Sequence, residues 1–164
     1  MTLSKRRRHN HNHTSKTKQN RNNPHNGAHN HNQSILQIAQ MLIPYFLETL
    51  NTIKLYHWKT HSYATHKATD DLYGTLNGNI DSFVEVLLGK CNGARIDLTM
   101  RKHIALSDFT GITGFTNTII TFRNALVSLS NYSQIKSPFN ADLLTIRDEL
   151  LANVNKFLYL LTFT

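Results

Sequence analysis

Cysteine is almost missing from this chain, with Cys91 the only one. No internal disulfide can form, so a reducing, intracellular setting is expected, with Cys91 as a small, partly buried side chain. Long apolar runs are missing too: none approaches the roughly 18 residues of a membrane span. No apolar segment follows Lys5-Arg6-Arg7-Arg8, which argues against a secretory signal. The expectation is a soluble protein of cytoplasm, nucleus or virion, with no membrane partner. Glutamate is scarce, at Glu48, Glu85 and Glu149 alone, and no Glu-x-x-His occurs. A di-iron site built inside one helical bundle needs several inward glutamates and Glu-x-x-His pairs, so that site is not expected.

Acid is absent from residues 1–33, which hold three Lys and four Arg and hence most of the net charge of +8. Residues 34–164 are close to neutral, and the basic character belongs to the tail. That tail reads His-Asn-His-Asn-His from residue 9 and His29-Asn30-His31-Asn32 further on, with Ala28 its one weakly apolar member after residue 9. With so little to bury it cannot offset its ordering entropy, and it is expected to be disordered. Lys5, Arg6, Arg7, Arg8, Lys16, Lys18 and Arg21 suit phosphate neutralisation by counterion release on DNA or another polyanion. Lys5 to Arg8 fits a nuclear address as well, and the tail histidines fit metal capture or low-complexity drift.

From Ser34 the pattern changes to apolar residues at helical stride: Ile35, Ile38, Leu42, Phe46, Leu50 and Ile53. This predicts a first helix ending near Trp58, kinked or delayed at Pro44. A second helix is predicted from about Thr65 to Leu88, burying Leu72, Leu76, Ile80, Phe83 and Leu87 and stopped by Gly89. A short helix is expected around Leu98 to Leu106. Gly111 and Gly114 then precede a third long helix with Ile119, Phe122, Leu126 and Leu129. Pro138 is expected to open the last, with Leu143, Ile146, Leu150, Val154, Phe157 and Leu161. Four long amphipathic helices with few strand signals predict an all-α four-helix bundle over residues 34–164.

The second helix carries the chemistry. At about 100° per residue from His66, Asp70 falls near 40°, Asp81 near 60° and Glu85 near 100°, while the apolar stripe clusters at about 240° to 320°. All four polar residues share one outward-looking face. Fifteen residues at about 1.5 Å put roughly 22 Å between His66 and Asp81, so one ion cannot touch both in one chain. A second, antiparallel copy would bring its Asp81 and Glu85 against the first copy's His66 and Asp70, and two-fold symmetry would build the site twice. Gly74 and Gly78 lie on the same side and would permit close helix approach. The plainer reading is a solvated face.

These residues carry a resemblance. His57-Trp58, then His66-Lys67-Ala68-Thr69-Asp70, then Asp81-Ser82-Phe83-Val84-Glu85 resemble the pattern of the Dps family, the starvation-induced DNA-binding branch of the ferritin-like superfamily. Asn155-Lys156-Phe157-Leu158-Tyr159-Leu160 resembles that family's usual ending. Tyr56 to Asp71 also resembles uncharacterised ferritin-like proteins of large DNA viruses, which imply no activity. The Dps resemblance implies a ferritin-like bundle with a ferroxidase site between subunits. His57, His66 and Asp70 of one subunit and Asp81 and Glu85 of the other would be iron ligands, with Trp58 beside them. The His57 to His66 interval is three residues shorter than the family's, which makes His61 an alternative first ligand. Imidazole with carboxylate suits iron and also zinc or manganese.

The expected function is therefore a homo-oligomer, a dimer building block and by resemblance a dodecamer, that oxidises Fe(II) with peroxide or oxygen, stores ferric iron and tethers nucleic acid through its tail. Two alternatives compete with it. One is a catalytically inactive ferritin-like structural or genome-packaging protein, viral in the case of the second resemblance; the other is a small zinc-binding or metal-sensing dimer.

Overall fold

The structure, a computed structural model, describes residues 24–91 and 94–163, with side chains from residue 35 on. The described residues form no strand. They build five α-helices: α1 (Pro24–Lys59), α2 (Tyr63–Gly89), α3 (Ile112–Ser128), α4 (Ser133–Lys136) and α5 (Ala141–Leu160), with short 3-10 turns at Leu129–Asn131, Pro138–Asn140 and Leu161–Phe163. The all-helical expectation is met, and none of these helices is long and apolar enough to cross a membrane.

The core follows the apolar stride. Ile35, Ile38, Leu42, Phe46, Leu50 and Ile53 of α1 are buried, as are Leu72, Leu76, Ile80, Phe83 and Leu87 of α2. Phe122, Leu126 and Leu129 join them from the third long segment, and Leu143, Leu150, Val154 and Phe157 from α5. Each such side chain contributes roughly 1.5–3 kcal/mol when fully removed from water. Phe46 is the hub at mid-height: its ring meets Phe83 edge-on at 5.8 Å and Phe122 at 6.2 Å.

Packing runs around a ring, α1 on α2, α2 on α5, α5 on α3 and α3 on α1. Side-chain contacts give the directions. The α1–α2 turn at Thr60–Ser62 reverses the chain. After α2 the connection climbs back along α1: the Ala105 N–H donates to Glu48 Oε1 (3.2 Å), and Lys59 Nζ donates to Asp108 Oδ1 (2.7 Å). Thus α3 starts beside the end of α1, where Phe115 stacks on Tyr56 at 4.1 Å. At the opposite end, Lys90 Nζ donates to the Phe139 carbonyl (2.7 Å) and pairs with Asp142 (2.9 Å), tying the start of α5 to the end of α2. Neighbours in the ring run antiparallel, and the long α2-to-α3 connection follows α1 from Glu48 to Lys59.

Several expected boundaries shift. Helix α1 begins at Pro24, not Ser34. Extending a formed helix adds a hydrogen bond per residue without a new nucleus, and proline suits a first turn. The expected disorder of residues 1–23 lies outside the described residues. Pro44 neither delays nor ends α1, which runs through it; the Gln40 carbonyl simply has no N–H there to accept from. The short helix expected around Leu98 to Leu106 is not formed. This stretch is irregular, its backbone held instead by side chains: Asp97 Oδ1 accepts from the Thr99 N–H (2.9 Å), and Glu48 from Ala105. Met100 and Leu106 stay exposed there, so no helix face is buried to reward helix formation. Pro138 opens a 3-10 turn that leads into α5 rather than α5 itself, and Ser137 caps that turn by accepting from the Phe139 N–H.

Candidate metal centre

The α1–α2 turn brings two histidines face to face. Ser62 caps α2 by accepting the Thr65 N–H (3.3 Å), which starts the helix at once after the reversal. His57, in the last turns of α1, is buried, and its ring stacks on that of His66 with centroids 3.9 Å apart and 22° between planes. The stack is braced both ways. His57 Nδ1 lies 3.0 Å from the His66 carbonyl oxygen, and His66 Nδ1 lies 3.0 Å from the His57 carbonyl oxygen.

This reciprocity decides the tautomers. A carbonyl oxygen can only accept, so in each neutral ring the proton sits on Nδ1 and donates to the opposite backbone. Both Nε2 atoms then carry a lone pair. Thr69, buried one turn after His66, adds to the brace: its hydroxyl lies 2.9 Å from the His66 carbonyl and 3.3 Å from His57 Nδ1. Backbone acceptors that orient imidazoles through the nitrogen facing away from a metal are the usual second layer of metal sites.

Asp70 completes the local group. Its Oδ1 is 3.8 Å from His57 Nε2, and the carboxylate is half exposed. Lys54 Nζ approaches the same oxygen at 3.8 Å while lying over the Tyr73 ring at 4.8 Å and the Trp58 ring at 5.8 Å. Trp58 itself is exposed.

Asp81 and Glu85 are exposed further along α2, on the side opposite its buried stripe, as the helical wheel requires. Gly74 and Gly78 lie on that same face, and a Cβ on either would meet no atom within 4 Å. Asp81 also borders a groove of about 410 Å³ between α1 and α2, floored by Phe46, Leu50 and Ile80 and edged by Ile43, Leu47 and Val84. His61 sits exposed in the turn, outside the stacked pair. Among the described residues, no three His, Cys, Asp or Glu side chains of one chain are gathered closely enough to hold a metal ion. The tail cations Lys5, Arg6, Arg7, Arg8, Lys16, Lys18 and Arg21 lie outside the described residues.

Two neighbours escaped the sequence reading. Lys54 shares a face of α1 with His57 and Trp58 at helical spacing, which was a visible signal. Tyr73 reads as an ordinary helix residue until α1 is packed against it. Away from this centre, burial pushes the Cys91 thiol and the Tyr56 hydroxyl above their usual pKa, so neither is an activated nucleophile.

A family model described as "Family of unknown function (DUF5856)" matches residues 57–161, and the chain belongs to that family. The matched stretch opens at His57 and takes in the whole of α2. No curated protein and no solved structure matches the chain.

Proposed function

We propose that this member of the DUF5856 family is a ferritin-like four-helix bundle that oxidises Fe(II), in the manner of the Dps family, at a site shared by two copies of the chain. The carrying observation is the stacked pair His57 and His66, each Nδ1 turned to the other's carbonyl, with His57 Nε2 3.8 Å from the Asp70 carboxylate. Two imidazole nitrogens and one carboxylate form a donor set suited to Fe(II), and also to zinc or manganese. The ring of antiparallel neighbours with one long connection from α2 to α3 supports the bundle.

Asp81 and Glu85 of a second, antiparallel copy would complete the donor set, with Gly74 and Gly78 allowing the approach. Each chain's part is then distinct. The braced histidines hold their ligating nitrogens without rotating, and the carboxylates neutralise the cations and accept protons from bound water. Two Fe(II) ions give one electron each to one peroxide, which with two protons leaves as two waters. Ferric product passes to storage within the oligomer, and the seven tail cations hold nucleic acid by salt-sensitive phosphate contacts.

The test is anaerobic Fe(II) loading of the full chain followed by peroxide, reading ferric absorbance beside an Asp81→Ala, Glu85→Ala variant. Fast oxidation that the variant loses supports the reading. A wild-type rate no better than buffer removes it and leaves a helical scaffold, with the basic tail as its working part.

A further inference from the structure

Between Arg101 and Phe109 the chain runs beside α1 with neither turn nor bend, and all of it up to Asp108 is exposed. Its backbone has few partners. From Lys102 to Phe109, among the described residues, the Ala105 N–H alone finds a protein acceptor, Glu48 Oε1 at 3.2 Å. In an extended chain the N–H and C=O groups of successive residues point to opposite edges. Because Ala105 turns its N–H toward α1, Lys102, Ile104, Leu106 and Asp108 turn theirs away from it. The result is an open strand edge, of the kind that pairs with another chain.

The residues along this edge point to a second copy of the same segment. In an antiparallel pair, outward-turned residues must face outward-turned residues, so a two-fold axis has to pass through a residue and not between two. Centred on Ala105, the pairing sets Lys102 against the partner's Asp108 at both ends. It also sets Ile104 against the partner's Leu106, two large apolar side chains that a single chain leaves exposed. Asp108 gives Oδ1 to Lys59 (2.7 Å) and keeps Oδ2 for this contact. Centred on Ile104, the pairing would set Asp108 against Met100; centred on Leu106, it would set Asp108 against Ile104. Only the Ala105 register matches charge with charge and apolar with apolar. We propose that residues 101–109 form a two-stranded antiparallel ribbon with the same segment of a second copy, centred on Ala105. The contact needs no ion and uses none of the residues of the histidine centre.

Cross-linking the full chain tests the register. At the centre the two Ala105 residues form a non-hydrogen-bonded pair with Cα atoms about 4.5 Å apart, inside the range that a disulfide spans. Two His103 residues would stand four positions out of opposition, roughly 14 Å apart. Cys91 is buried and does not compete. Under mild oxidation Ala105→Cys should therefore become a disulfide-linked dimer about tenfold faster than His103→Cys. Equal rates, or no link in Ala105→Cys, overturn the pairing. Amide exchange of the wild-type chain at high concentration gives an answer that no substitution disturbs. The Ile104 and Leu106 N–H groups should exchange about tenfold more slowly than those of His103 and Ser107, and one common rate for all four overturns the proposal as well. Neither readout involves a metal, so failure of Fe(II) oxidation leaves this contact standing, and failure here leaves the metal reading standing.

Discussion

Replacing His57 by phenylalanine separates the structural work of this ring from its ligating work. The substitution keeps a flat ring of similar size, so the stack on His66 at 3.9 Å survives in outline. It removes the Nδ1 donor to the His66 carbonyl, yet that oxygen still has the Thr69 hydroxyl at 2.9 Å and is not orphaned. The expected loss of metal-free stability is therefore that of one ordinary hydrogen bond, about 0.5–1.5 kcal/mol. The metal response should change far more. Zn(II) at a hundred times its Kd stabilises a folded state by about 2.7 kcal/mol. For a domain of this size that is a rise in Tm of roughly 5–11 °C, at about 2–4 °C per kcal/mol. Thermal unfolding followed by circular dichroism, with Zn(II) and with EDTA at one protein concentration, reads both quantities. His57→Phe should lose the rise, while His61→Phe, altered at an exposed turn residue, should keep it. An undiminished rise in His57→Phe, or its loss in His61→Phe, would refute the assignment of His57.

Three further outcomes follow from the same geometry. Long-range proton–nitrogen spectra of the metal-free protein should show a protonated Nδ1 and a bare Nε2 on both His57 and His66; Nε2-protonated rings would contradict the double brace. Gly74→Ala and Gly78→Ala meet open space in a single chain, so each should raise helix stability by up to about 1 kcal/mol, whereas Gly78→Leu should lower the assembly mass in sizing if a second copy packs there, and an unchanged mass would exclude that face. The Asp142 carboxyl is pushed up by burial but held below its usual pKa overall by Lys90 and by the Leu143 N–H. A lowered carboxyl pKa stabilises the fold above the unfolded value of about 3.9 and loses that contribution as pH falls through the folded value. Urea midpoints of wild type should therefore fall more than those of Asp142→Asn between pH 7 and pH 3, and parallel falls would show that the Lys90 tie does not matter.

The helices were legible because burial on one face imposes a stride, and the stride survives in the letters. Every α2 residue assigned to the apolar stripe, Leu72 to Leu87, is buried. Ile146 and Leu161 of the last segment, only half-buried, show that the same rule weakens toward a helix edge and a chain end. The connection after α2 was not legible. Leu98, Met100, Ile104 and Leu106 imitate a short helix, but Asp97 accepting the Thr99 N–H and the distant Glu48 carboxylate accepting the Ala105 N–H hold the backbone on another course. Residues far apart in the chain and joined by a few polar contacts leave no period to read.

The short turn explains why the first histidine of the group is His57 and not His61. With helix α1 ending at Lys59 and α2 starting at Tyr63, the reversal centres near residue 61, and a residue there is carried out into solvent. His57 and His66 stand nine positions apart on either side of that centre. Each lies about one turn into its own helix, at the same height as the other. That symmetry is what lets each ring reach the other's carbonyl, since a side chain displaced along either helix would meet a different turn of backbone. A longer linker would free the two helices to slide and would remove the reason for reciprocity. The short interval therefore sets His57 and His66 as one braced pair and leaves His61 in the exposed turn. Inserting three residues after Thr60 should accordingly uncouple the rings while leaving α1 and α2 packed through Phe46 and Phe83, and the helix content of the variant should match wild type while its Zn(II) affinity falls.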